Sequence, residues 1–118
     1  MLRFLLPLVI AVLSGQSALA HAIVIASTPK PGAVLSPGPV RIELRYNSRI
    51  DHKRSTLTLF AGESKTGRPV AIDATEEVDR LLAHLDDLAP GKYRMRWVVL
   101  ALDGHITQGD VNFTINAP

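Results

Sequence analysis

Residues 40–47 read Val-Arg-Ile-Glu-Leu-Arg-Tyr-Asn, and Val40, Ile42, Leu44 and Tyr46 alternate with Arg41, Glu43 and Arg45. A period of two describes a strand with one face in a core and the other in water. The same residues wound into a helix would scatter their apolar side chains around its axis. Shorter runs of this kind recur along the chain with turn residues between them. They are Ala-Ile-Val-Ile-Ala (22–26), Thr-Leu-Thr-Leu-Phe (56–60), a segment at 69–73 and Arg-Leu-Leu-Ala-His-Leu (80–85). A long run at 92–102 carries Tyr93, Met95, Trp97 and Val99 on one face, and Val111, Phe113 and Ile115 mark the last.

Residues 22–26 are rich in β-branched side chains and are expected to be buried on both sides. Pro69 places its segment at a sheet edge, where a missing N–H is tolerated. A helix from about Thr75 to Asp87 is possible, but the regular spacing of turns favours a strand at 80–85. Thr28-Pro29 through Gly32, Pro37-Gly38, Gly62 through Gly67 and Pro90-Gly91 supply the turns. Residues 33–35 are expected to plug one end of the fold, and the polar residues 48–55 to form a loop. About seven short strands and no strong amphipathic helix indicate an all-β, Greek-key sandwich or barrel of the immunoglobulin-like kind.

The first 20 residues have a different character. Arg3 precedes an almost wholly apolar stretch at 4–13, Ser14-Gly15-Gln16-Ser17 interrupts it, and Ala18-Leu19-Ala20 has the small-x-small form of a cleavage site. This is the three-part pattern of a secretory signal peptide. Its apolar part is too short for a membrane-spanning helix, which needs roughly 20 residues. The expected organisation is therefore a signal peptide at 1–20 and one exported, soluble domain at 21–118.

Cysteine is absent, which excludes disulfides, zinc-thiolate sites, a cysteine nucleophile and the His₂Cys centre of blue-copper electron carriers. Thirteen basic residues stand against 11 acidic ones, interspersed along the chain. That balance, with few aromatic residues, argues against nucleic-acid binding. No Gly-x-Ser-x-Gly elbow or phosphate-binding glycine loop is present, so the chain is not read as a hydrolase or nucleotide enzyme.

Cleavage after Ala20 would make His21 the first residue of the mature chain. A terminal histidine offers its α-amine and its Nδ1 to one ion, closing a six-membered chelate ring. Among common divalent ions, copper(II) combines a preference for nitrogen with tetragonal geometry and the highest affinity. Asp103-Gly104-His105 adds a carboxylate and a second imidazole, which face one side in an extended or gently turned backbone. Gly104 relaxes the geometry between them. One amine, two imidazoles and one carboxylate would form a donor set for copper(II), one ion per chain, at His21, Asp103 and His105; the bland alternatives are an ordinary Asp103-Gly104 turn, His105 as a loop residue and a structural sandwich without metal. Nickel and zinc are lesser options. His52 reads as a loop residue among cations and His84 as a solvent-facing strand residue. Met95 is expected to pack in the core, and one thioether cannot build a copper(I) site.

His21-Ala22, Ser27-Thr28-Pro29 with Gly32, Ile42-Glu43-Leu44-Arg45-Tyr46 and Tyr93-x-x-x-Trp97-Val98-Val99 leading to Asp103-Gly104-His105 together resemble the CopC-type periplasmic copper-binding proteins. The resemblance spans nearly all of the chain after residue 20. It implies a cupredoxin-like sandwich that holds copper(II) through His21, Asp103 and His105. It also implies a monomeric role in copper resistance in the periplasm, beside an inner-membrane CopD-type protein. Relatives with a copper(I) site carry a methionine-rich loop, which this chain lacks. Some relatives place a glutamate near the copper after the second strand; here that neighbourhood reads Asn47-Ser48. A second function fits a terminal histidine with another histidine: a lytic monooxygenase-like oxidative copper enzyme. Against it, the chain is small and has no evident aromatic platform for a carbohydrate.

Overall fold

The computed structural model describes residues 21–118. The expected signal peptide at 1–20 lies outside the described residues. Eight strands follow one another: β1 (Val24–Thr28), β2 (Ala33–Leu35), β3 (Val40–Tyr46), β4 (Ile50–Ala61), β5 (Arg68–Val70), β6 (Arg80–Leu85), β7 (Gly91–Ala101) and β8 (Ile106–Ile115). They form a three-stranded sheet in the order β1-β3-β6 and a five-stranded sheet in the order β2-β8-β7-β4-β5. The described residues contain no helix.

The alternation in the sequence becomes the interior of a two-sheet sandwich. Ile42, Leu44 and Tyr46 of β3 and Leu81 of β6 meet Leu57 of β4, Met95 and Val99 of β7 and Phe113 of β8, all 2% exposed or less. Burying one such side chain contributes roughly 1.5–3 kcal/mol, and this interior must suffice because the chain has no cysteine to cross-link it. Trp97 lies edge-on to Tyr46 with ring centroids 5.4 Å apart. Opposite Trp97 in the β7–β8 register stands Gly109. A Cβ there would come within 2.5 Å of the indole, so only glycine lets the ring lie flat across β8.

Three local expectations are corrected. Residues 33–35 are not a plug but an eighth strand, paired in parallel with Phe113, Thr114 and Ile115. Residues 48–55 are not all loop, because β4 starts at Ile50 and pairs with Ala101 before its register shifts between Asp51 and Thr56. The polar residues hold that bulge: Asp51 Oδ1 accepts the N–H groups of Lys53 and Arg54 at 3.0 and 3.3 Å. The Ser55 hydroxyl donates to the Asp51 carbonyl at 2.6 Å. The first strand is not buried on both sides either. β1 lies at the edge of its sheet, and Ile23 and Ile25 are each 54% exposed. The expectations for β5 at a sheet edge, for β6 as a strand and for Met95 in the core agree with the structure.

Candidate metal centre

Strands β7 and β8 are joined by a tight turn. The Gly104 N–H donates to the Ala101 carbonyl and the Ala101 N–H to the His105 carbonyl, each at 2.9 Å. Gly104 has φ +91°, a conformation that side-chain-bearing residues rarely adopt. The turn is therefore written into Asp103-Gly104 and presents Asp103 and His105 together. Asp103 Oδ1 accepts the His105 backbone N–H at 3.0 Å, and its Oδ2 lies 3.0 Å from His105 Nδ1. The His105 backbone N–H, and next the His105 side chain, hold the Asp103 carboxyl below the usual carboxylate range, with the charge of His21 adding in the same sense.

His21 reaches this hairpin from the other end of the domain. Its ring centroid lies 5.0 Å from that of His105, with the planes at 65°. Metal–nitrogen bonds of about 2 Å place two imidazole centroids that share one ion roughly 4.5–6 Å apart, and the pair falls inside that interval. All three side chains are exposed, so an ion could enter and leave without opening the core. With Nδ1 of His105 engaged by Asp103, its Nε2 is the nitrogen open to a metal, the arrangement a carboxylate commonly imposes on a ligating histidine. A carboxylate held at Nδ1 cannot reach an ion on Nε2 of the same ring, so Asp103 would have to leave its contact with Nδ1 to become a ligand. Among the described residues, no group of three or more His, Cys, Asp or Glu side chains stands in a placement that could hold a metal ion, so His21, Asp103 and His105 would have to turn to share one. The donor set suggested by the sequence takes its fourth member from a backbone nitrogen instead, one that becomes an amine only when the chain is cut before His21.

Two residues that sequence reasoning passed over hold the segment behind His21. The Thr107 hydroxyl donates to the Ala22 carbonyl at 2.8 Å. Asn47 Oδ1 accepts the Ile23 N–H at 2.8 Å, and the Asn47 N–H donates to the Ile23 carbonyl at 3.0 Å. The Ala22 side chain is 1% exposed and belongs to the core. Thr107 stands two positions after His105 in the sequence, but nothing there points to a partner 85 residues away.

The remaining histidines are elsewhere. His52 Nε2 lies 2.8 Å from the Arg80 carbonyl, and His84 Nδ1 lies 2.9 Å from Asp73 Oδ2. A largely apolar hollow of about 630 Å³ sits beside the hairpin, lined by Ile50, Ile72 and Leu102 with Asp51, His52 and Asp73. None of His21, Asp103 and His105 lines it.

Residues 24–116 match the model of the CopC domain. The chain belongs to the CopC family. Copper resistance protein C of Xanthomonas campestris pv. juglandis is 30% identical over 115 residues, covering 92% of this chain and 90% of that protein. Protein YobA of Escherichia coli K12 is 26% identical over 122 residues, covering 97% and 94%. Among solved structures, CopC from Methylosinus trichosporium OB3b superposes with a TM-score of 0.67 at 26% identity over 81% of this chain and 94% of that one. PcoC, a methionine-rich copper resistance protein from E. coli, gives 0.64 at 24% identity over 81% and 99%. At that identity PcoC supports the sandwich fold alone. The family match covers all of the described strands, and the paired sheets are those of a CopC fold.

Proposed function

We propose that this CopC-family chain is exported, cut after Ala20, and binds one copper(II) ion per chain in the periplasm to sequester it or pass it on in copper resistance. The ion would be held by the His21 amine and Nδ1, by His105 Nε2 and by an Asp103 oxygen, the carboxylate leaving His105 Nδ1 to do so. The observation that supports this reading is the meeting of the His21 and His105 rings at 5.0 Å beside the Asp103 carboxylate. The naming of a 30% identical relative as a copper resistance protein points the same way. Nitrogen donors with one carboxylate suit copper(II) over calcium or magnesium, which prefer oxygen. The site's exposure suits a cargo ion, since a carrier must release what it binds.

Isothermal titration of the protein beginning at His21 tests the proposal. One copper(II) ion is expected to bind, and His21→Ala or His105→Ala each weakens binding by several orders of magnitude. A chain keeping one extra residue before His21 is expected to bind far more weakly, because that nitrogen is then an amide. Equal affinity with and without the extra residue rules out the amine as a ligand.

A further inference from the structure

A bidentate terminus binds well only if the backbone behind it is fixed. A free N-terminal dipeptide must lose its rotational freedom when it closes around an ion, and that loss weakens binding. In this chain the polar groups that follow His21 are already tied. The Ala22 carbonyl is held by the Thr107 hydroxyl at 2.8 Å. Both backbone groups of Ile23 are held by Asn47, at 2.8 and 3.0 Å. The two clamping residues come from different sheets. Asn47 follows directly on β3 of the three-stranded sheet, and Thr107 lies in β8 of the five-stranded one. Thr107 is half-buried, so water competes poorly for its hydroxyl. It also stands two residues after His105, on the strand that carries that imidazole.

We infer that Thr107, seconded by Asn47, is a positioning residue of the metal centre: by fixing the Ala22 carbonyl it holds the cleaved His21 amine and imidazole over the Asp103–His105 hairpin. This rests on the copper reading above. Thr107 touches no ion and acts through the terminus alone. Its contribution should therefore disappear when the terminus can no longer chelate.

The test uses the protein beginning at His21, with copper(II) affinity measured by competition against a chelator and the site recorded by electron paramagnetic resonance. Thr107→Val keeps the shape of the side chain and removes the donor. It is expected to weaken copper(II) binding roughly three- to tenfold, the range one lost hydrogen bond supports, and to alter the hyperfine splitting. Thr107→Ser, which keeps the hydroxyl, is expected to restore both. In a chain with one extra residue before His21, Thr107→Val is expected to change affinity no further. Unchanged affinity and spectrum in Thr107→Val overturn the inference, as does an equal loss in the extended chain, which would mark general loosening. A wild-type protein that binds no copper(II) overturns the parent reading instead. Should Thr107→Val not fold, Asn47→Ala removes the Oδ1 that holds the Ile23 N–H, leaving the Asn47 backbone donor in place, and carries the same comparison.

Discussion

Two histidine–carboxylate pairs in this chain look alike and stand in different surroundings. His105 sits 3.0 Å from Asp103 with a second imidazole at hand, whereas His84 sits 2.9 Å from Asp73 on an open sheet surface. The hydrogen bond from Asp73, and then its charge, raise the His84 pKa above the ordinary imidazole value. A group whose pKa is raised by folding stabilises the fold in its protonated form. The effect is complete below the unfolded value of about 6.5 and is lost as pH climbs through the raised folded value. At 71% exposure the side chain is well screened, so the effect on stability is small. The better readout is the titration of His84 by NMR. Asp73→Asn is expected to bring its midpoint down toward 6.5, and the two proteins should become equally stable above the wild-type midpoint. A midpoint indifferent to Asp73→Asn would show that the carboxylate is not the cause.

The hairpin of β7 and β8 bears both the core's one tryptophan and the Asp103-Gly104-His105 turn. Gly109→Ala would press a methyl group onto the indole at 2.5 Å. Overpacking of this kind costs about 1–3 kcal/mol, which for a domain of this size lowers Tm by roughly 4–8 °C per kcal/mol. Because Trp97 is the only tryptophan, its fluorescence reports the strain and the melt together; an unshifted melt and spectrum would mean that β8 yields without resistance. Elements such as these also show what can be read from a sequence. The inward residues of β3 and β7 are legible because a strand with one wet face must alternate. β2 is not, since three residues joining β8 in parallel owe their conformation to a partner far along the chain. The start of β4 is hidden for the opposite reason: its charged residues resemble a loop and in fact secure a bulge. At the proposed centre, His21, Asp103 and His105 are visible because each has donor chemistry of its own. Thr107 and Asn47 matter through ordinary hydrogen bonds to backbone 85 and 24 residues away, and that pairing exists only once the sheets have closed.

Seen as a whole molecule, the proposed centre bridges the two layers of the sandwich. The His21 segment leads into the edge strand of the three-stranded sheet and is tied through Asn47 to the end of its middle strand, and the Asp103–His105 hairpin is the end of two central strands of the five-stranded one. An ion shared between them would cross-link the sheets without a covalent bond, in a protein that has no disulfide to do so. Copper(II) should then raise Tm. A ligand at 100 times its Kd stabilises by about 2.7 kcal/mol, or roughly 10–20 °C for a domain of this size. The observed gain should fall short of that figure, because the unfolded chain keeps its terminal His21 chelate and only the contributions of His105 and Asp103 distinguish the folded state. Calorimetry of three proteins with and without copper(II) separates these contributions. The wild type beginning at His21 should gain most. His105→Ala should gain almost nothing, since its terminal chelate binds folded and unfolded chains alike. The chain extended by one residue before His21 should gain less than the wild type, because without the amine copper(II) binds the folded site too weakly to approach saturation. If His105→Ala gained as much as the wild type, His105 would contribute nothing to holding the ion, and the two layers of the sandwich would not be joined through it.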